Sequence, residues 1–403
     1  MSLMVMSVLG TKGYERTIEE MKQYLGEVLD WTTPESTPTG QALSQARRKL
    51  TPERCREVAL QVHALCTTAR ERAALGYGGF RLLALDGTKL ALPAYRSMID
   101  HFGCPTQAPK GPQASFTLLW DVGANQPVDW KVGPYRVCER IHAIDLLARL
   151  GPQDLVLADR NFASRRILFD LSSRKAQWLM CIRCAGSGTL TEVAEFVASG
   201  LPEQTLTLVM RDHRGQPQDH HPTITVRLLR KVLPNGTTLV FITSLLDAAR
   251  HPAHILIDLY TNRWRVETSF RELKIWHGLE RFHARYVDGI YQEIAALMLF
   301  QLLASELEAK ARVHHGLPTI TPTDPPATII QPTIRFNRRI VADCAVSLLF
   351  AAAKGDQQLK EQFDYCLFRI WRYRQTITKG RSFVRERKSP ARGWKDKHRK
   401  GSA

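Results

Sequence analysis

The sequence predicts an α/β protein built on one mixed sheet, with a β-rich insertion, a small helical domain before it and helices after it. Residues 81–184 alternate strand and helix patterns, residues 185–250 read as strands around a turn, and both flanks carry helical periodicity. At 403 residues the chain is long enough for two or three folding units with a buried core.

The helical start runs from Tyr14 to about Arg72, in segments 17–30, 37–50 and 51–75. Thr37 and Thr51 stand where N-caps belong, each followed by a proline at the first helical position. The middle segment sets Gln41, Gln45, Arg47, Arg48 and Lys49 beside apolar Ala42, Leu43, Ala46 and Leu50. That composition suits a helix laid against DNA, and equally a plain amphipathic helix.

Residues 81–93, 115–122 and 127–133 then read as consecutive strands, with the GANQ turn at 123–126 between the last two. A helix over 140–150, a buried strand ending in DLVLADRNF, a helix over 164–175 and a strand over 177–183 follow. Strands over 224–232 and 238–246 flank Pro234-Asn235-Gly236, a hairpin signal. From about residue 252 the pattern is helical, broken at 317–332 by five prolines that exclude helix. The runs 294–303 and 344–371 are predicted core helices.

Fifty-six Lys and Arg against 39 Asp and Glu give a net charge of +17, which points to a polyanionic partner. More than half of that excess lies in residues 372–403, where twelve Lys and Arg face only Glu386 and Asp396. Such a tail is a phosphate-seeking arm or a solvated terminus. The eight cysteines lack framework spacing, so they read as reduced thiols of a cytosolic protein. Cys181 and Cys184 form the one close pair, and no second Cys/His pair follows at zinc-site spacing. The opening MSLMVMSVLG has no basic start or cleavage pattern, and no uninterrupted apolar run reaches ~18 residues. A membrane partner is not expected, and the expected location is the cytoplasm, at the nucleoid.

Two acids stand where a charge is expensive. Asp86 ends the apolar run LLALD and Asp159 ends LVLAD, so each is carried to the edge of a hydrophobic sheet. A divalent cation such as Mg²⁺ is the natural compensation, because it takes carboxylate and phosphate oxygens together. A third acid belongs to YTNRWRVETSFRELK, residues 260–274. Read as one helix at ~100° per residue, Tyr260, Arg263, Glu267 and Lys274 share an arc of about 60° along roughly 21 Å, while Glu272 falls near 120° and faces elsewhere. The stripe offers one carboxylate flanked by two cations and a phenol.

Tyr260-x2-Arg263-x3-Glu267-x6-Lys274 resembles the signature of the insertion-sequence-4 family of DDE transposases. Asp86-Gly87-Thr88 and Asp159-Arg160-Asn161-Phe162-Ala163-Ser164 resemble the stretches that carry that family's two aspartates, and the resemblance covers about residues 37–300. It implies a ribonuclease-H-like core in which Asp86, Asp159 and Glu267 hold two Mg²⁺ (or Mn²⁺) ions. It also implies that Tyr260, Arg263, Lys274 and Arg160 grip phosphates of the cleaved end. Partners would be double-stranded DNA, both transposon ends and target, bound by a homodimer on paired ends. Hairpin-forming members stack a flipped base on a tryptophan of the insertion. No Trp lies between Trp178 and Trp264 here, leaving Phe241 or the pair His220 and His221 as aromatic candidates.

The expected division is then a helical DNA-binding domain over 1–76, with Gln45, Arg47 and Arg48 as contacts, and a catalytic core over 77–184 and 251–300. The β-rich insertion takes 185–250, the C-terminal helices 301–371 and the basic tail 372–403. The expected activity is end binding, strand cleavage and strand transfer. The rivals are a nuclease of the same fold that cuts without joining, and a catalytically idle DNA-binding protein.

Overall fold

β1 (Arg81–Ala91) sets the layering, because its side chains alternate: Leu82 and Ala84 enter one hydrophobic cluster, Leu83 and Leu85 another on the opposite face. The computed structural model describes residue 4 and residues 13–67, 77–105, 111–211, 222–275, 278–317 and 334–377. The Pro-rich stretch, His220 and His221, and residues 378–403 of the basic tail lie outside them.

Three short helices come first: α1 (Tyr14–Leu25), α2 (Gly40–Arg48) and α3 (Pro52–Thr67). α2 is capped by Thr39, whose side chain accepts from the Ala42 N–H, so the predicted cap at Thr37 is two residues early. After β1 come α4 (Arg96–Phe102), β2 (Gln113–Asp121), β3 (Gln126–Pro134), α5 (Glu139–Leu147), β4 (Asp154–Ala158), α6 (Arg165–Ser173) and β5 (Gln177–Ile182). Then follow α7 (Thr191–Ser199), β6 (Glu203–Val209), β7 (Thr223–Val232) and β8 (Thr238–Thr243).

These eight strands form one sheet in the order β3-β2-β1-β4-β5-β8-β7-β6. β1 pairs antiparallel with β2 and parallel with β4, and β4 pairs parallel with β5. The segment expected as an insertion extends this same sheet, because β8 pairs antiparallel with β5. Within it the sequence reading misses α7 and β6, although Thr205-Leu206-Thr207-Leu208 alternates; the first three residues of β6 are exposed.

The remaining helices are α8 (Ala253–Tyr260), α9 (Trp264–Ile275), α10 (Val287–His314), α11 (Arg338–Lys354) and α12 (Asp356–Arg372); the short pair β9 (Ile334–Arg335) and β10 (Gln375–Thr376) brackets the last two. One sheet face packs on α5, α6 and α7 through Leu146, Ile167, Leu168 and Phe196. The other face packs on α8, α9 and α10 through Leu256, Val266, Phe270, Ile294 and Met298. α10 is long and apolar enough to cross a membrane, but most of it is buried inside the protein, and its polar Gln292, Glu293, Ser305 and Glu308 are partnered. It packs against α3, α11 and α12.

The α2 face is the reverse of the one its composition suggests. Arg47 is 3% exposed: its guanidinium donates to the Gln292 side chain at 2.7 Å and the Gly289 carbonyl at 2.6 Å, and pairs with Glu293 at 2.8 Å. Gly289 is needed there, since an added Cβ would stand 3.1 Å from the Arg47 guanidinium and 2.4 Å from Ala284. Arg47 is therefore a tie between α2 and α10, too deeply buried to reach DNA. Ala42, Ala46 and Leu50 are exposed instead, along with Gln45 and Arg48.

Candidate active site

Alternation along β1 places Asp86 on the same face as Leu82 and Ala84, and it places Asp159, the residue after β4, on the face of Leu155 and Leu157. That is the face covered by α8 and α9. Asp86 is 15% exposed, and the Gly87 N–H donates to it at 2.8 Å. Burial pushes its carboxyl up to about 6, and the neighbouring Asp159 and Glu267 carboxylates add to the rise against the pull of Gly87 and Arg263. Asp86 thus feels both other predicted acids, each from a different element.

The stretch from Tyr260 to Lys274 is not one regular helix, because α8 ends at Tyr260 and a 3-10 turn over Thr261–Arg263 precedes α9. The turn swings Arg263 inward to 8% exposure. There it bridges two of the acids, at 3.6 Å from Asp86 and 2.8 Å from Glu267. Glu267, in the first turn of α9, keeps 35% of its side chain exposed and so remains open to the outside.

Tyr260 departs from its expected role. Its hydroxyl points into the protein and donates to the Ala158 carbonyl at 3.2 Å, its ring meets Phe241 edge to face, and burial pushes its phenol up. It ties the end of α8 to the strand end that presents Asp159, so its hydroxyl is already engaged. Phe241 itself is 2% exposed, so it cannot stack a flipped base. Lys274 is tied to β1 through the Lys89 carbonyl at 2.9 Å and Thr88 at 3.2 Å, and pairs with Glu280 at 3.1 Å. Arg160 is exposed beside Asp159, whose carboxylate accepts the Asn161 N–H at 2.8 Å.

Two site residues escaped the sequence reading. Trp264 is 60% exposed directly after Arg263, whose guanidinium lies 5.2 Å from its ring centroid. An exposed tryptophan in the signature itself was the available signal. Glu139, at the start of α5, accepts from the Asn161 side chain at 3.4 Å, and its carboxyl end lies against Gly87, the residue after Asp86. Nothing local in the sequence links positions 87 and 139.

A family model described as "Transposase DDE domain" matches residues 78–303. The chain belongs to the transposase DDE domain family. The matched span begins just before β1 and ends within α10, so it contains Asp86, Asp159 and Glu267 together. Among similar family proteins is the transposase InsG of insertion sequence element IS4 from Escherichia coli (strain K12), 26% identical over 265 residues, which are 63% of this chain and 58% of that protein. The chain thus spans less than two thirds of that relative's length. A solved piggyBac transposase synaptic complex with hairpin DNA is 11% identical, with a TM-score of 0.40 over 71% of this chain and 57% of that one.

Among the described residues no three His, Cys, Asp or Glu side chains are gathered as a ready metal cluster. Arg263 pairs with Glu267 and stands 3.6 Å from Asp86, as a counter-cation does. The donor set still fits a hard divalent ion. It consists of carboxylate oxygens, and a hard divalent ion would offset the burial that raises the Asp86 carboxyl.

Proposed function

We propose that the chain is a DNA transposase that binds the terminal inverted repeats of its element and catalyses metal-dependent strand cleavage and strand transfer. The observation that supports this reading is that Asp86, on the covered sheet face, lies within electrostatic reach of Asp159 and Glu267, with Arg263 between Asp86 and Glu267. In this reading the sheet and α9 form a ribonuclease-H-like core, and the protein acts as a homodimer on paired ends at the nucleoid.

Asp86, Asp159 and Glu267 would hold two Mg²⁺ or Mn²⁺ ions, which when bound supply the positive charge that stabilises in-line phosphoryl transfer and acidify the attacking group. The protein's own contribution is positioning. Tyr260 holds the end of β4 so that Asp159 projects toward Asp86. Arg263 turns from the carboxylates to the phosphate of the cleaved strand, exchanging one anionic partner for another. Lys274 secures α9 against β1, keeping Glu267 in register with Asp86. Trp264 offers its open ring face to a nucleobase next to the reacting phosphate. Gln45 and Arg48 on α2, together with Arg160, add contacts to the duplex.

The purified full chain, given Mg²⁺, a duplex carrying its element's terminal repeat and a supercoiled plasmid, should nick the repeat end and join it to the plasmid. Cleaved ends with no joined product would favour a nuclease that cuts without joining. Absence of both, with end binding intact, would contradict an enzymatic role.

A further inference from the structure

The reverse side of α9 carries a second set of charges. A cavity of ≈ 130 Å³ lies where α9 meets α10, the start of α11, β9 and the turn between β2 and β3. Arg265, Arg312, Arg335 and Arg338 line it, with Glu272 and Glu308. Four guanidinium groups face two carboxylates, and the carboxylates are already shared. Arg338 stands 3.7 Å from Glu272 and 3.7 Å from Glu308, and Arg312 is 3.1 Å from Glu308. Arg265 is left with the Val122 carbonyl at 3.3 Å, and among the described residues no carboxylate lies within ion-pair distance of it.

We propose that this cavity is a binding site for a phosphate group, formed by Arg265, Arg335 and Arg338. A buried cation without an anionic partner is costly, and a cavity that gathers such cations gains most from an oxyanion that accepts several N–H donors at once. The volume is well below the several hundred Å³ of sites for drug-sized ligands, so it admits a tetrahedral anion and not a nucleoside. Burial and the neighbouring Arg338 lower the Arg265 guanidinium to about 10 against the pull of Glu308. Arg335 and Thr268 are exposed at the rim, which leaves a way in. The phosphate comes either from the backbone of a DNA strand crossing behind α9 or from free phosphate. The DNA source rests on the proposed function, while the site itself does not.

The test uses the full chain, Arg265→Gln and Arg335→Ala. Arg335→Ala changes an exposed rim residue, and Arg265→Gln removes a buried unpaired charge, so both variants should keep the wild-type unfolding temperature or exceed it. Calorimetric titration with inorganic phosphate should show binding to the wild type that weakens about tenfold or more in each variant. Binding to a duplex of arbitrary sequence is measured in parallel across salt. If the DNA backbone is the source, the slope of log K against log salt falls by about 0.9 in each variant. With an unchanged slope, phosphate binding that depends on these arginines identifies free phosphate as the ligand. The proposal is overturned if phosphate binds equally to all three proteins, or if phosphate does not bind and the DNA slope is also unchanged. Loss of strand cleavage alone would bear on the proposed function and not on this site.

Discussion

The two faces of α9 are opposite in their electrostatic shortage. On the face toward β1, one arginine bridges two of three acids, and burial drives the Asp86 carboxyl up. On the face toward α10, four arginines line a cavity with two acids, and the Glu308 carboxyl is held below its usual range by Arg338 and Arg312 although burial opposes this. Both sets sit in protein that excludes much of the water, where an unmatched charge costs most. One face therefore lacks a cation and the other lacks an anion. A buried cluster whose signs balance is an architectural tie, as Arg47 with Glu293 is; an imbalance of either sign marks a place built to receive something.

The comparison can be broken most sharply through catalysis. Glu267→Gln keeps size and helix preference and removes one ligand charge, so cleavage should fall by several orders of magnitude while end binding persists. Glu272→Gln, on the arginine-rich face, should leave cleavage within about tenfold, a change of no more than ~1.4 kcal/mol in the barrier. Equal losses in a strand-cleavage assay would erase the distinction between the faces.

Stability provides the next largest contrast. Glu308→Ala removes the acid shared by Arg312 and Arg338 and leaves those guanidinium groups without it in a mostly buried site. It should cost about 3–5 kcal/mol in chemical denaturation. A loss below about 1 kcal/mol would mean the arginines are solvated and the cavity is not electrostatically strained.

Asp86→Asn should act in the other direction. The folded-state carboxyl is raised from 3.8 to about 6, so the ionised form is disfavoured by folding. That cost is absent below about pH 4, grows between pH 4 and 6 and is complete above. The metal-free variant should therefore be more stable than wild type at pH 7, by something on the order of 2 kcal/mol, with the difference vanishing at pH 4. Equal stability of the two proteins at pH 7 would place Asp86 in a less demanding setting.

Much of the acidic face could be read from the sequence because each part of it is local. Asp86 and Asp159 close apolar runs whose alternation fixes which side of the sheet they face, and the spacing of Arg263 and Glu267 makes them neighbours one turn apart. The 3-10 turn at 261–263 was hidden, since no proline or glycine marks it. The inward turn of Tyr260 depends on Ala158, about a hundred positions away. The arginine-rich face was invisible for the same reason: it assembles residues 265, 272, 308, 312, 335 and 338 from four elements. Arg47 shows the converse error, where a basic residue on a short helix suggested a DNA contact and a distant Gln292 and Glu293 had claimed it.

The most direct test of the acidic face is Mn²⁺ binding to the full chain, followed by calorimetry or by the loss of the free-ion paramagnetic signal. A divalent-metal role for Asp86, Asp159 and Glu267 predicts that Asp86→Asn and Glu267→Gln each weaken Mn²⁺ binding by at least about tenfold, roughly 1.4 kcal/mol. Glu272→Gln should bind it as the wild type does. Arg263→Gln should bind Mn²⁺ more tightly than wild type in the absence of DNA, because it frees the carboxylates that Arg263 now occupies. If all four variants bind Mn²⁺ with the wild-type affinity, or if Glu272→Gln alone loses it, the three acids are not the metal site.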